Sequence, residues 1–368
     1  MKPNVYRFAG EVIPPTTFYA PLVDQTLWTM KGEYAFNQEL RGLLRDGLDP
    51  EPDRHDHIEF TDVDESRVPD MNTLFSQFQE VTGLDPGMPV VRSVEVPTGQ
   101  DATKEVLGLK DEVVERQLQR FYKQTGVRPR PLEPEDASKG ALGGAANKST
   151  ARIEMPDGRS RMRSFLHELT HCAIPELGLA WESTTEVDPD TFQFKTNLGF
   201  SHVSGGLMYQ AEDGDRKGSI IEEAVAEGTG TLANRKLHLV ETYFDNEVLE
   251  LPEMVAPYIS KNGSFSNSAP AAIAMELIAR EVGMPSEQFF KMLADYGTTG
   301  VHNVDARAEV AEAVYNGTRG RLTLGQLEEL PYPIHNEASL APLWAVEDAL
   351  DVPDHAQYSQ LFATKLMR

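Results

Sequence analysis

The 368-residue chain has a single cysteine, Cys172. No intramolecular disulfide can form, and no cysteine-rich zinc module can be built from it. No apolar run reaches membrane-spanning length, so no membrane partner is expected. Positive charge is scarce: 34 Lys and Arg stand against 58 Asp and Glu, a formal net charge of −24. Binding to a phosphate backbone needs basic patches, so nucleic acid is not an expected partner either. Met1 to Arg7 is not followed by the apolar stretch of a signal peptide, and the expected location is cytoplasmic. No repeat of fixed period runs along the chain. Its length and an ordinary hydrophobic fraction of 40% suit a large core divided among two or three subdomains.

Against that background one short stretch carries chemistry. His167-Glu168-Leu169-Thr170-His171 reads H-E-x-x-H. The flanking apolar residues, Phe165, Leu166, Leu169, Cys172 and Ala173, fall mostly at helical spacing, and Pro175 supplies a stop. Residues four apart on a helix share a face, so His167 and His171 can offer two imidazoles to one metal ion. Glu168 lies beside them, where a carboxylate can take a proton from a water activated by that ion. The bland alternative is an amphipathic helix with two histidines at the core edge.

Two histidines do not complete a catalytic zinc site, which usually has three protein ligands and one open position. No third histidine follows closely, because Cys172-Ala173-Ile174-Pro175-Glu176-Leu177 comes next. That excludes the metzincin pattern. Downstream, Gly218-Ser219 opens a second expected helix containing Glu222-Glu223-Ala224-Val225-Ala226-Glu227. Glu223 and Glu227 are one turn apart on one face, whereas Glu222 is rotated by about 100°. Gly228 and Gly230 are costly inside a helix and suggest close packing against a neighbouring backbone, with the His167–His171 helix the obvious neighbour. In so acidic a chain the competing reading of these three glutamates is a solvated helix face.

These two motifs resemble the gluzincins, the thermolysin-like and aminopeptidase-like zinc metallopeptidases. The resemblance covers roughly residues 151–240. It implies that His167, His171 and Glu223 hold one Zn²⁺ per chain and that Glu168 is the general base. It also implies that Glu227 is the acid that hydrogen-bonds a metal-bound histidine. The second motif departs from the thermolysin-like form Asn-Glu-Ala-x-Ser-Asp: Glu222 stands for Asn, Ala226 for Ser and Glu227 for Asp.

The implied fold is α+β: a zincin-like core of motif helix, small sheet and second ligand helix, followed by an α-helical C-terminal lobe. The expected layout is a mixed α/β region over 1–125, a linker or mobile loop over 126–148, the core over 149–245 and the helical lobe over 246–368. Alternation places a strand at 151–155, by analogy the edge along which a peptide extends, and a hairpin or small sheet from 191–196 and 206–210. Helices are expected at 72–82, 110–125, 268–282, 286–296, 304–315 and 324–330. His55-Asp56-His57 sits in an acidic segment and reads as a solvated turn rather than a metal site.

The expected activity is zinc-dependent hydrolysis of a peptide or protein substrate. An oxyanion donor is needed, and Tyr209, His238, Tyr258, Tyr296 and His302 are not ranked by the sequence. Two rival classes are a catalytically inactive zincin-like binding module and a helical interaction protein with a chance motif. The oligomeric state is left open.

Overall fold

Helix ends in this chain are set by side chains that cap them and by glycines that release them. The computed structural model describes residues 5–8, 11–13, 55–95, 111–128, 143–147, 152–158, 160–174, 191–193, 209–210, 216–240, 253–259, 265–299, 304–333 and 336–363. Helix α1 (Met71–Thr82) begins where the Asp70 carboxylate accepts the Thr73 N–H at 3.1 Å, and ends at Gly83 with φ +71°. Helix α2 is Asp111–Thr125. The H-E-x-x-H segment lies in α3 (Met162–Ala173), which has no capping side chain of its own at Arg161. Asp62, one hundred residues earlier, supplies the acceptor: its Oδ1 takes the Met162 N–H at 2.7 Å. The helix ends before Pro175 because Ile174, at φ −109° and ψ 86°, is held out of the helical region by the proline that follows.

Helix α4 (Ser219–Leu237) starts at Gly218, whose φ of +79° turns the chain into it. Every residue from Ser219 to Thr231 is buried. That stretch therefore has no solvated face and no simple amphipathic stripe, and only the end of α4, with Arg235 and Lys236, reaches solvent. It packs on α3, on α1, and on the helices that follow: α5 (Ala269–Glu281) and α6 (Ser286–Thr299). Helices α7 (Val304–Gly317), α8 (Leu324–Glu328), α9 (Asn336–Leu350) and α10 (Tyr358–Leu361) complete the helical part. The sequence gives no separate signal for α9, because Pro342 lies inside it. Burial compensates for that proline, since Leu340, Leu343, Trp344 and Val346 are all buried.

The strands are few and short. Strands β1 (Val5–Phe8) and β2 (Glu11–Ile13) pair antiparallel. Strand β3 (Val90–Val94) runs parallel to β5 (Arg152–Pro156), which also pairs antiparallel with β4 (Ala145–Asn147). The order β3-β5-β4 corrects the expectation for the strand at 151–155: among the described residues it is central, with β3 and β4 at the two edges. The end of the segment expected to be a linker is therefore strand at 145–147, and 129–142 of it lies outside the described residues. The expected pairing between 191–196 and 206–210 is also corrected. Strand β6 (Thr191–Gln193) runs parallel to β1, and β7 (Tyr209–Gln210) pairs with β8 (Arg216–Lys217). Alternation says that a segment suits a strand but does not name its partner.

The result is a mixed α+β protein, mostly helical, with small sheets. One buried apolar cluster runs from Ile58 and Phe60 through Phe165 and Val225 to Trp344 and Phe362, so residues of all three expected regions share a core. No described helix is long and apolar enough to cross a membrane.

Two glycines let α4 sit at the centre. A Cβ on Gly230 would lie 3.1 Å from the His167 backbone nitrogen, and one on Gly228 would lie 2.2 Å from the Phe290 ring. The substitution Gly228→Ala gains helix propensity of about 1 kcal/mol. It must also displace a buried ring, and we expect a net loss of about 1–3 kcal/mol, read as a lower urea midpoint. A midpoint equal to or above wild type would show that Phe290 yields freely.

Candidate metal centre

Helix spacing puts His167 and His171 on one face of α3, and the close crossing at Gly230 brings that face onto α4. The two Nε2 atoms lie 3.0 Å apart. Glu223 completes a triangle: its Oε2 is 3.2 Å from His167 Nε2 and its Oε1 is 3.3 Å from His171 Nε2. The three side chains form a group able to hold a metal ion. Four ligands at about 2.0–2.1 Å in a tetrahedron are separated by roughly 3.3–3.4 Å, so these edges suit zinc closely.

The rest of the hydrogen bonding shows what the triangle needs. His167 Nδ1 lies 3.2 Å from Glu227 Oε2, and His171 Nδ1 lies 2.9 Å from Glu222 Oε1. A carboxylate only accepts, so in each ring Nδ1–H is the donor, and Nε2 is the atom left to meet a proton or a metal ion. Two ring nitrogens and a carboxylate then converge, and two imidazoles with one carboxylate are a donor set that suits zinc.

Glu222, Glu223 and Glu227 are 1%, 5% and 6% exposed, which overturns the solvated-face reading of this helix. Their burial is compensated locally. Arg163 Nη2 lies 3.3 Å from Glu227 Oε1, and the Ser268 hydroxyl donates to Glu223 Oε2 at 2.8 Å. Burial alone would raise the Glu223 carboxyl, but the His171 and His167 rings outweigh it and hold it well below the usual range. Glu227 is likewise lowered against its burial by the hydrogen bond from His167 and the charge of Arg163. Burial opposes the charge on His167 too. The hydrogen-bonded carboxylates of Glu223 and Glu227 prevail, and the ring is held well above its ordinary value.

Glu168 is not a corner of the triangle, but its charge interacts with His167, His171 and Glu223. Burial pushes its carboxyl up, the histidines oppose that, and the Ala146 backbone N–H on β4 donates to it. Gly144 allows the approach: a Cβ there would lie 2.9 Å from Glu168 Cγ and 3.0 Å from Met155 Sδ.

The structure thus brings together His167, Glu168, His171, Glu223 and Glu227. Glu222, Arg163 and Ser268 were not singled out by the sequence as parts of the site. Glu222 had a signal, since two histidines one turn apart need separate anchors. A residue rotated about 100° from the ligand is placed to reach the second ring. Ser268 had none, because it arrives from the helical region 45 residues beyond Glu223.

Among the oxyanion candidates, Tyr258 donates to Glu276 at 2.6 Å, and the Tyr296 hydroxyl accepts from Arg307 at 2.6 Å. Both hydroxyls are engaged outside the triangle, and Tyr258 also lies within electrostatic range of Glu227 and Arg163. His238 is exposed at the far end of α4, about 22 Å along the axis from Glu223. The Tyr209 side chain and His302 lie outside the described residues. His55 and Asp56 serve structure: His55 Nδ1 accepts the Val91 N–H at 3.3 Å and Asp56 accepts the Ser93 N–H at 2.9 Å. His57 lies with Glu59 and Glu65 in an exposed group.

No family model, curated protein or solved structure matches this chain. Its function is therefore read from the two helices and their surroundings.

The anchoring of both rings predicts graded losses. Glu223→Ala removes one of the three candidate ligands and should abolish tight metal binding. Glu222→Ala and Glu227→Ala should each weaken it about 10–100-fold. Competition against a chelator measures all three, and a Glu223→Ala protein that binds as tightly as Glu222→Ala would overturn the assignment.

Proposed function

We propose that the chain is a zinc-dependent peptidase of gluzincin type, acting on a peptide or protein substrate. The observation that carries this reading is the convergence of His167 Nε2, His171 Nε2 and Glu223 within 3.0–3.3 Å of one another, with the Glu168 carboxyl beside them. Bound there, zinc supplies Lewis acidity toward a water molecule and a carbonyl oxygen.

The protein groups do the rest. Glu168 takes the proton of the attacking water and later gives it to the leaving amine. A carboxyl raised by burial suits both duties better than an ordinary one, since its proton affinity lies closer to the working pH. The Ala146 N–H and the close approach at Gly144 hold Glu168 in one place. Glu227 and Glu222 fix the tautomers and orientation of the two rings. Strand β4 ends the sheet on the side that touches Glu168, and an edge strand offers backbone groups along which an extended peptide can pair.

Glu168→Gln keeps the size and the Ala146 contact but cannot accept the proton. The variant should bind metal as wild type and lose peptide hydrolysis by at least about 100-fold. Hydrolysis at the wild-type rate would remove Glu168 from the role of base. Equal absence of hydrolysis in wild type would favour the binding module.

Metal binding should also release protons. In the metal-free protein His167 is held above its ordinary value, so at pH 7 it is protonated and paired with Glu223 and Glu227. The stability this contributes is complete below the unfolded histidine value and is lost as pH rises through the folded one. A metal ion displaces that proton. Calorimetric titration with zinc at pH 7, in buffers of different ionisation enthalpy, should report proton release. No buffer dependence would contradict a protonated His167.

A further inference from the structure

The hydroxyl of Ser268 does an unusual thing for a residue at the start of a helix. Ser268 precedes α5, and its carbonyl accepts the Ala272 N–H at 3.1 Å, but its side chain caps nothing. It is 5% exposed, and its Oγ donates instead to Glu223 Oε2 at 2.8 Å. The segment is pinned from behind. The Ser339 hydroxyl on α9 donates to the Asn267 carbonyl, and Phe265 packs edge-on against Phe362 with ring centroids 4.7 Å apart.

The Glu223 carboxylate straddles the two imidazoles, with Oε2 3.2 Å from His167 Nε2 and Oε1 3.3 Å from His171 Nε2. By position alone either oxygen, or both, can meet one ion. A carboxylate that binds through both oxygens takes a place that a hydrolytic site needs for water. The hydrogen bond from Ser268 breaks the symmetry. It engages electron density on Oε2 through a charge-assisted bond and leaves Oε1 the stronger donor.

Building on the metal-site reading above, we propose that Ser268 is a positioning residue that makes Glu223 a one-oxygen ligand and so keeps the fourth coordination place free. A side chain from the helical region thereby sets how the third ligand on α4 engages the metal. Reorientation of α5 relative to α4 would alter the metal site with no change in the H-E-x-x-H helix.

The test uses the full chain loaded with cobalt(II), whose electronic spectrum reports on added ligands, and azide as the probe of the free place. Wild type should bind one cobalt per chain and take up azide. Ser268→Ala should still bind one cobalt but bind azide about tenfold or more weakly, because the released Oε2 competes for the same position. Ser268→Thr, which keeps the hydroxyl, should behave as wild type. Ser268→Gly removes the same hydroxyl and replaces the alanine variant if that one fails to fold. Azide affinity in Ser268→Ala or Ser268→Gly equal to that of wild type overturns the role of Ser268 and leaves the metal site standing. A wild type that binds no cobalt overturns both.

Discussion

Helices α3 and α4 cross at Gly230, where a Cβ would lie within 3.1–3.3 Å of the backbone around His167. Glycine lets the two backbones approach, and the approach places two imidazoles from one helix against three carboxylates from the other. His167 and His171 reach Glu223 with one nitrogen and an anchoring glutamate with the other. Asp62 caps α3, Gly218 launches α4, and Phe290 fills the space beside Gly228. The surrounding core holds that crossing rigid, as a constellation of ligands must be held.

A dense group of buried charge follows from the same crossing. Glu222, Glu223 and Glu227 are all buried, and burial raises the Glu168 carboxyl. Arg163 and the two histidines supply the nearby positive charge or its potential. Buried carboxylates in that number are costly unless paired. In the metal-free protein the charge on His167 offsets part of that cost, and Arg163 does the same beside Glu227. Glu222 reaches His171, and Glu227 reaches His167.

Much of the site was legible in the sequence because it is written in helical periodicity. Four-residue spacing placed His167 with His171 and Glu223 with Glu227, and two glycines announced a close contact. Helix limits at Gly83, Gly218 and Pro175 were likewise local signals. What could not be read was what arrives from a distance. Asp62 caps a helix one hundred residues away, Ser268 enters from α5, and Ala146 on β4 supplies the amide beside Glu168. The sheet order was hidden for the same reason, since alternation gives a strand its faces and not its neighbours. Pro342 concealed α9, and the burial that maintains the helix through it is a property of the whole core.

Metal analysis of the full chain, purified without chelators and dialysed against metal-free buffer, decides whether this group of side chains is a metal site. One zinc per chain is expected in wild type, and none in a His167→Ala, His171→Ala double variant that remains folded. A folded wild-type protein that retains no metal, and takes up none when zinc is supplied, would rule the site out.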